Sequence, residues 1–220
     1  MARLKGNSLH NAFTGKVGGL VGCKWKNTYY IRTRPLNVKH PNTDKQLAQR
    51  MRFVNTQKFL LPLKDFLRLG YGAYTTDKSA FNAAMSYNIR NAITGEYPEI
   101  KIDPSLVLVS RGQLSGANNA KVQLKGTELL EFTWDLGSSG GVAVYRDKVV
   151  VVLQKIEEFK ADYRLEFALR GEGQATIQLY PPFNSGETAC YLIFVKPRML
   201  LGDYAEEYIS NSMYCGTIKV

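Results

Sequence analysis

Cysteine and histidine are both scarce in this sequence of 220 residues. Cys23, Cys190 and Cys215 lie far apart with no Cys-x-x-Cys pair, and His10 and His40 are the only histidines. An odd, sparse cysteine set argues against a disulfide framework and favours a reducing compartment. A histidine-based triad or a metal cluster is hard to assemble from two histidines. We therefore predict no catalytic residue, no metal site and no cofactor, and hence a protein that is not an enzyme.

Long apolar runs are also missing. The chain contains no stretch of about 18 apolar residues, which a membrane-spanning helix needs. Its first 22 residues lack the continuous apolar region of a signal peptide and are interrupted by glycine, lysine and asparagine. We predict no membrane span and no signal peptide, and a cytoplasmic or particle-associated location. The remaining composition, 45% hydrophobic and 22% charged, is typical of a globular protein with a buried core.

Acidic residues are almost absent from the first quarter of the chain. Residues 1–52 contain eleven Lys and Arg but a single acid, Asp44. Residues 53–220 contain 18 bases and 18 acids, so the whole net charge of +10 lies in the first segment. A field confined to one segment attracts a polyanion or an acidic partner surface more strongly than diffuse charge does.

Glycine punctuates the basic segment, residues 1–41. The pieces Lys16-Val17, Leu20-Val21 and Lys24-Trp25-Lys26 favour short strands separated by glycine bends, and residues 29–34 favour a further strand. We predict a twisted hairpin or an extended arm, with a turn near Asn27-Thr28.

Cations alternate with aromatic residues in this segment, and eight of these side chains form the candidate binding surface. They are Lys16, Lys24, Trp25, Lys26, Tyr29, Tyr30, Arg32 and Arg34. Such interleaving is typical of a surface that contacts phosphates and stacks on bases. An arm that docks on a neighbouring subunit, or a plain solvated face, explains the same residues. The sequence alone leaves these three interpretations open.

The second segment, residues 42–99, is predicted to be helical. Thr43-Asp44-Lys45-Gln46 matches a capping box, which predicts a helix that starts near Thr43. Pro62 predicts a break, because proline lacks the amide donor and clashes with the preceding turn. A further helix is predicted over residues 78–92, and Gly95 is placed to end it in a left-handed cap.

From about residue 100 onward the sequence predicts only strands. They are short, many alternate apolar with polar residues, and turn signals separate them: 106–109, 121–125, 129–134, 142–145, 149–155, 163–168, 175–180, 189–195 and 208–214. Seven to nine such strands are the usual content of a β-sandwich. The predicted fold class is α+β: a basic N-terminal arm or hairpin (1–41), two to three helices (42–99) and an antiparallel β-sandwich (100–220).

The C-terminal part resembles a fibronectin type III or immunoglobulin-like sandwich. In the run Leu-Leu-Glu-Phe-Thr-Trp at 129–134, alternate residues are expected to face the core, with Trp134 between the sheets. Tyr191 follows a turn near the start of a late strand, where a tyrosine corner lies in such folds.

The whole chain also resembles an uncharacterised domain-of-unknown-function family that occurs chiefly in Bacteroidota. The matching stretches are Phe-Thr-Gly-Lys-Val-Gly (13–18), Ile-Arg-Thr-Arg-Pro (31–35), Thr-Asp-Lys-Gln-Leu-Ala-Gln-Arg (43–50), Ala-Phe-Asn-Ala-Ala (80–84), Asn-Ala-Ile-Thr-Gly (91–95), Ser-Gly-Ala (115–117) and the Tyr-Ile-Ser-Asn-Ser-Met-Tyr run (208–214). This resemblance implies no activity, because the family has no function to carry over.

The expected function is structural. We expect the sandwich to mediate contacts and the basic arm to insert into a larger assembly, such as a virion-like or multi-subunit particle. The expected partner is another protein or a second copy of the chain. The alternative is a nucleic-acid-binding protein that uses the basic, aromatic N-terminal segment.

Overall fold

A computed structural model gives the fold of most of the chain. It describes residues 3–4, 13–25, 28–37, 42–136 and 145–220. Within it the chain divides into two compact units, Met1–Asn42 and Thr43–Val220. Apart from Tyr145, the strand predicted at 142–145 lies outside the described residues. The observed fold class is α+β, as predicted, with helices and antiparallel sheets.

The first unit contains a four-stranded antiparallel sheet in the order β1-β2-β3-β4. Its strands are β1 Arg3–Leu4, β2 Phe13–Val17, β3 Leu20–Trp25 and β4 Thr28–Thr33. The predicted glycine bend inside β3 is wrong, because Gly22 pairs in register with Gly15 on one side and Ile31 on the other. The turn between β2 and β3 uses Gly18, whose φ of 55° favours glycine.

The second unit begins with helices whose ends follow local signals. They are α1 Asp44–Leu60, α2 Lys64–Gly70 and α3 Ala80–Asn91. The predicted start of α1 is confirmed, since the Thr43 hydroxyl accepts a hydrogen bond from the Gln46 amide at 3.4 Å. The predicted break at Pro62 is also confirmed: a 3-10 turn, Leu61–Leu63, separates α1 from α2.

The end of α3 differs from the prediction. The helix begins after the cap residue Ser79 and ends at Asn91, and the chain then enters β5 Ile93–Thr94. Gly95 does not cap the helix. Its positive φ of 78° instead lies in the connection between β5 and β6 Lys101–Ile102, which pair with each other.

Two antiparallel sheets follow. One has the order β11-β8-β7, and the other has the order β10-β9-β12-β13. The strands are β7 Asn118–Lys125, β8 Leu129–Asp135, β9 Lys148–Lys155, β10 Ala161–Leu169, β11 Gln174–Gln178, β12 Glu187–Val195 and β13 Met213–Lys219, and a short helix α4 spans Pro197–Leu200. The arrangement is compatible with a β-sandwich.

Two predicted strands are wrong or displaced. Residues 104–106 form a 3-10 turn, and Val107 and Val109 are buried in the core outside any strand. The last strand begins at Met213, not at Tyr208, because the preceding residues form another 3-10 turn and isolated bridges. Apolar residues that pack without pairing look like strand residues in a sequence.

One face of the four-stranded sheet of the second unit, β10-β9-β12-β13, packs against the three-stranded sheet, β11-β8-β7. Leu130, Phe132 and Trp134 of β8 share a buried cluster with Val151 of β9 and Leu192 of β12. The alternation predicted for residues 129–134 is therefore confirmed. The Trp134 ring lies 6.1 Å from the Phe194 ring, edge to face, between the two sheets.

The opposite face of the same sheet is covered by helices. Val150 and Ile193 belong to a second buried cluster with Leu63 and Leu67 of the α1–α2 region and Ala84 of α3. Strands β9 and β12 are thus buried on both faces, which explains why they are continuous apolar runs instead of alternating ones.

Tyr191 belongs to the helix-covered face. It is fully buried there, and its hydroxyl donates a 2.8 Å hydrogen bond to the carbonyl of Pro104. Pro104 lies 87 residues earlier in the chain, whereas the acceptor in a tyrosine corner lies only a few residues upstream. The predicted tyrosine corner is therefore wrong.

A buried ion pair holds the loops at one end of the sandwich. The Arg170 guanidinium lies 3.4 Å from the Asp147 carboxylate, 2.9 Å from the Ser115 carbonyl and 4.4 Å from the Phe194 ring centroid. Burial raises the pKa of Asp147, and the charge of Arg170 opposes that rise. A charge buried this deeply requires its partner, so we regard the pair as a structural clamp.

Adjacent residues of β12 test the burial on both faces. We expect Leu192→Ala and Ile193→Ala each to lower the free energy of unfolding by about 2–5 kcal/mol, since each leaves a cavity in a different core. Chemical denaturation measures both values. If the helices did not cover the sheet, Ile193→Ala would change stability by less than about 0.5 kcal/mol, as surface substitutions do.

Candidate functional site

The candidate binding residues fall in or directly after strands β2, β3 and β4. Lys16 lies in β2, Lys24 and Trp25 in β3, and Tyr29, Tyr30 and Arg32 in β4, while Arg34 follows β4. The amide of Arg34 donates a 2.8 Å hydrogen bond to the Gly19 carbonyl, which continues the β3–β4 pairing past the strand end. Lys26 lies outside the described residues.

The strand register separates these residues onto two faces of the sheet. Residues directly opposite each other in an antiparallel pair share a face, and neighbours along a strand alternate. Val21 is opposite Lys16 on β2 and Arg32 on β4, and Cys23 is opposite Tyr30. We call this side, with Lys16, Val21, Cys23, Tyr30 and Arg32, the cationic face.

The other side of the sheet is mostly apolar. Leu20 is opposite Val17 on β2, and Lys24 is opposite Tyr29 on β4, on the same side as Ile31. We call Val17, Leu20, Lys24, Tyr29 and Ile31 the apolar face. Its one ammonium group, on Lys24, lies 5.0 Å from the centroid of the Tyr29 ring, a cation–π contact.

The apolar face is exposed. Val17, Leu20 and Ile31 have 55%, 45% and 56% of their surface accessible, respectively. The sequence reasoning concentrated on the cations and missed these three residues. The signal that could have identified them is the spacing of two residues between Tyr29 and Ile31 along β4, which places both on one face, read together with the pairing to β3.

The lack of burial continues into α1. We define the exposed N-terminal region as residues 13–55. Among its residues whose side chains the structure describes, Gly22 alone is buried, and the first buried residue of α1 is Thr56. Phe53 and Val54 on α1 are exposed as well. The described part of this region therefore has regular secondary structure without a hydrophobic core formed by its own described side chains.

The first unit also has no internal counterions. The sequence of Met1–Asn42 contains eight Lys and Arg and no Asp or Glu. Its positive charges cannot be neutralised within the unit, so they produce a positive potential at its surface. An acidic surface or a polyanion complements such a potential.

Other kinds of site find little support in the residues that the structure describes. No three His, Cys, Asp or Glu side chains are grouped there in a way that could hold a metal ion. His10 and His40 both lie outside the described residues. No described helix is long and apolar enough to cross a membrane.

The thiols differ in their environments. None of the three cysteines forms a disulfide. Cys190 and Cys215 are buried, whereas Cys23, on the cationic face, is partly exposed. Burial raises the pKa of Cys190 and raises that of Cys215 to about 12. Both buried thiols are therefore protonated and shielded at neutral pH.

Comparison with known protein families shows which family the chain belongs to. The sequence pattern of a family of unknown function, DUF6266, matches residues 12–216. The chain belongs to DUF6266. The match includes strands of the first unit as well as the helices and both larger sheets of the second, so the family comprises both units of this DUF6266 protein. No curated protein matches the chain.

Thiol accessibility tests the position of Cys23. We expect iodoacetamide to label one cysteine of the native DUF6266 protein quickly and all three after unfolding, because Cys190 and Cys215 are buried. Mass spectrometry counts the labels. Cys23→Ser should abolish the fast label, and fast labelling at Cys190 or Cys215 would contradict the packing of β12 and β13.

Proposed function

We propose that this DUF6266 protein is a non-enzymatic structural or assembly protein. In this proposal the second unit, Thr43–Val220, is a scaffold, and the first unit, Met1–Asn42, is a basic arm that packs on another subunit of a larger particle, virion-like or multi-subunit. One observation carries the proposal: among the residues of the first unit whose side chains are described, only Gly22 is buried. A sheet that lacks a core is completed by something outside it.

The energetics favour a bound state for the sheet. Small sheets need a covered hydrophobic face to be stable on their own. Completing the burial of a half-exposed Val, Leu or Ile contributes roughly 1 kcal/mol each, since full burial is worth about 1.5–3 kcal/mol. Val17, Leu20 and Ile31 offer this gain together on one face.

The charge specifies the partner further. Because the first unit contains basic residues and no Asp or Glu, two copies of it would repel each other if their cationic faces met. A partner surface that covers the apolar face is itself apolar where it meets Leu20 and Ile31, whereas a partner surface on the opposite, cationic face is acidic where it meets Lys16 and Arg32. Such complementarity raises association rates and excludes wrong partners more than it raises affinity.

We propose a fibronectin type III-like identity for the sandwich, within the wider immunoglobulin-like group. Strand order supports it: in chain order, the seven described strands β7 to β13 form one sheet in the order 5-2-1 and another in the order 4-3-6-7. In the immunoglobulin constant type, the fourth strand joins the first sheet. Here the fourth strand, β10, pairs with the third, β9.

Disrupting the apolar face should abolish assembly. We expect the wild-type chain at physiological salt to have a molar mass above that of the 24.7 kDa monomer or to retain a partner chain, and Leu20→Ser/Ile31→Ser to be a free monomer. Light scattering after size exclusion, combined with affinity capture, measures both.

Leu106→Ser/Leu201→Ser is the matched control, because it removes the same apolar surface from exposed positions of the second unit. It should leave assembly unchanged. A wild-type chain that stays monomeric at every concentration and retains no partner contradicts the proposal.

Nucleic-acid binding is the second candidate. The absence of acids from Met1–Asn42 favours it, as does the position of Tyr30 on β4, on the same face of the sheet as Lys16 and Arg32. In this case phosphates would contact the cations, and the aromatic ring would offer a surface for stacking.

Salt dependence distinguishes this candidate. For labelled duplex DNA, log K falls as log salt rises, and we expect the slope to become less negative by about 0.9 in Lys16→Gln, since each phosphate contact contributes about that much. Lys24→Gln removes an equal charge from the apolar face and should change the slope less. Protection of Cys23 from alkylation by the bound strand is a second readout. Binding that survives deletion of residues 1–40 would refute the role of the segment.

A further inference from the structure

A polar hollow of about 250 Å³ lies beside α3, in the second unit. Its polar lining comes from three parts of the chain: the residue before the cap of α3, the exposed side of that helix, and the segment that follows Ser110. These residues are Lys78, Ser86, Tyr87, Arg90, Asn91 and Arg111. Three of the six are cations and the others offer hydroxyl or amide groups, which is an unusual concentration of donors for one small cavity.

The described lining of the hollow contains three cations and no carboxylate. Among the described residues, no ion pair joins Lys78, Arg90 or Arg111 to a carboxylate. Arg90 donates a 2.6 Å hydrogen bond to the Ser86 hydroxyl, which is neutral. No described acid lines the hollow. Like charges that share a cavity repel one another, and an anion between them would relieve that repulsion.

Arg111 is held in place before any ligand arrives. The central carbon of its guanidinium lies 4.6 Å from the Tyr74 ring centroid and 5.5 Å from that of Tyr87. Its amide donates a 2.9 Å hydrogen bond to the Gly70 carbonyl. Stacking on aromatic faces leaves the planar edge of the guanidinium available, and the fixed side chain has less conformational entropy to lose on binding.

Nearby acidic groups are engaged elsewhere. Glu206 accepts a 2.8 Å hydrogen bond from Gln113 and lies near Tyr74. Burial raises the pKa of Tyr74; the charge of Arg111 opposes that rise and Glu206 adds to it. Asp77 precedes Lys78 in sequence but is not part of the lining. The field inside the hollow is therefore set mainly by its three cations.

The dipole of α3 has opposite effects on an anion at the two ends of the helix. Lys78 precedes the helix start, where the partial positive charge favours an anion, and Arg90 lies in the last turn, where the partial charge is negative. A helix end carries about half an elementary charge, so the full charges of the three side chains dominate. We expect the ligand between Lys78 and Arg111.

We propose that this hollow binds a small phosphate-bearing anion. Guanidinium groups recognise phosphate oxygens through paired, charge-assisted hydrogen bonds, and lysine adds a mobile positive charge. The volume of about 250 Å³ lies below the range of pockets for drug-sized ligands, which favours an ion of the size of phosphate or pyrophosphate. The inference is independent of the proposed assembly role, because none of the lining residues belongs to the exposed N-terminal region.

Calorimetric titration of the full chain with inorganic phosphate and with pyrophosphate, at low ionic strength, tests the proposal. We expect pyrophosphate to bind more tightly than phosphate, and Arg111→Gln to weaken binding by about tenfold or more, as the loss of a charged hydrogen bond predicts. Arg198→Gln removes an exposed arginine elsewhere and should leave affinity unchanged. Thermal unfolding without anion establishes that each variant is folded.

The basic first unit supplies the decisive control. Lys16→Gln/Arg32→Gln should leave pyrophosphate binding unchanged, and if it abolishes binding while Arg111→Gln does not, the hollow is not the site. Failure of the wild type to bind either anion at about 10 mM also overturns the proposal. So does binding of a single-stranded oligonucleotide through Arg111 without binding of the free anions, because the ligand would then be a nucleic acid.

Discussion

Burial of strands β9 and β12 on both faces is the constraint on which the second unit depends. Val150 and Val151 are neighbours in sequence, yet each is fully buried in a different cluster. The sheet β10-β9-β12-β13 therefore packs against the helices on one face and against the three-stranded sheet on the other, and it joins these layers into one unit.

The first unit has the opposite character. Its strands pair in register, but most of the side chains that the structure describes there are exposed on both faces, and its charges are of one sign. Hydrogen bonding alone adds little net stability in water, because water replaces the lost bonds. Ordered strands with an uncovered apolar face are therefore the observation on which the proposal of an external partner rests. The polar hollow beside α3 belongs to a different class of site, since its cations sit on a stable scaffold.

Some features could be predicted from the sequence because they depend on near neighbours in the chain. Thr43 and Gln46 specify the start of α1, Pro62 specifies a break, and the run at 129–134 alternates by itself. Gly95 and the residues around Val107 were misassigned, because turns and buried irregular segments share the composition of caps and strands. The polar hollow could not be anticipated, since Lys78 and Arg111 are 33 positions apart and only the fold brings them to one cavity.

The sequence by itself determined the concentration of positive charge at the start of the chain, the start of α1, the break at Pro62 and the β-rich second half, because charge, capping and periodicity are properties of short segments. Only the tertiary structure decided which faces are covered. Strand register placed Lys16 and Arg32 together on one side of the first unit's sheet, and Leu20 and Val17 together on the other side. Packing placed Tyr191 against the helices instead of in a corner of the sandwich. Both depend on contacts between distant residues, which no local pattern encodes.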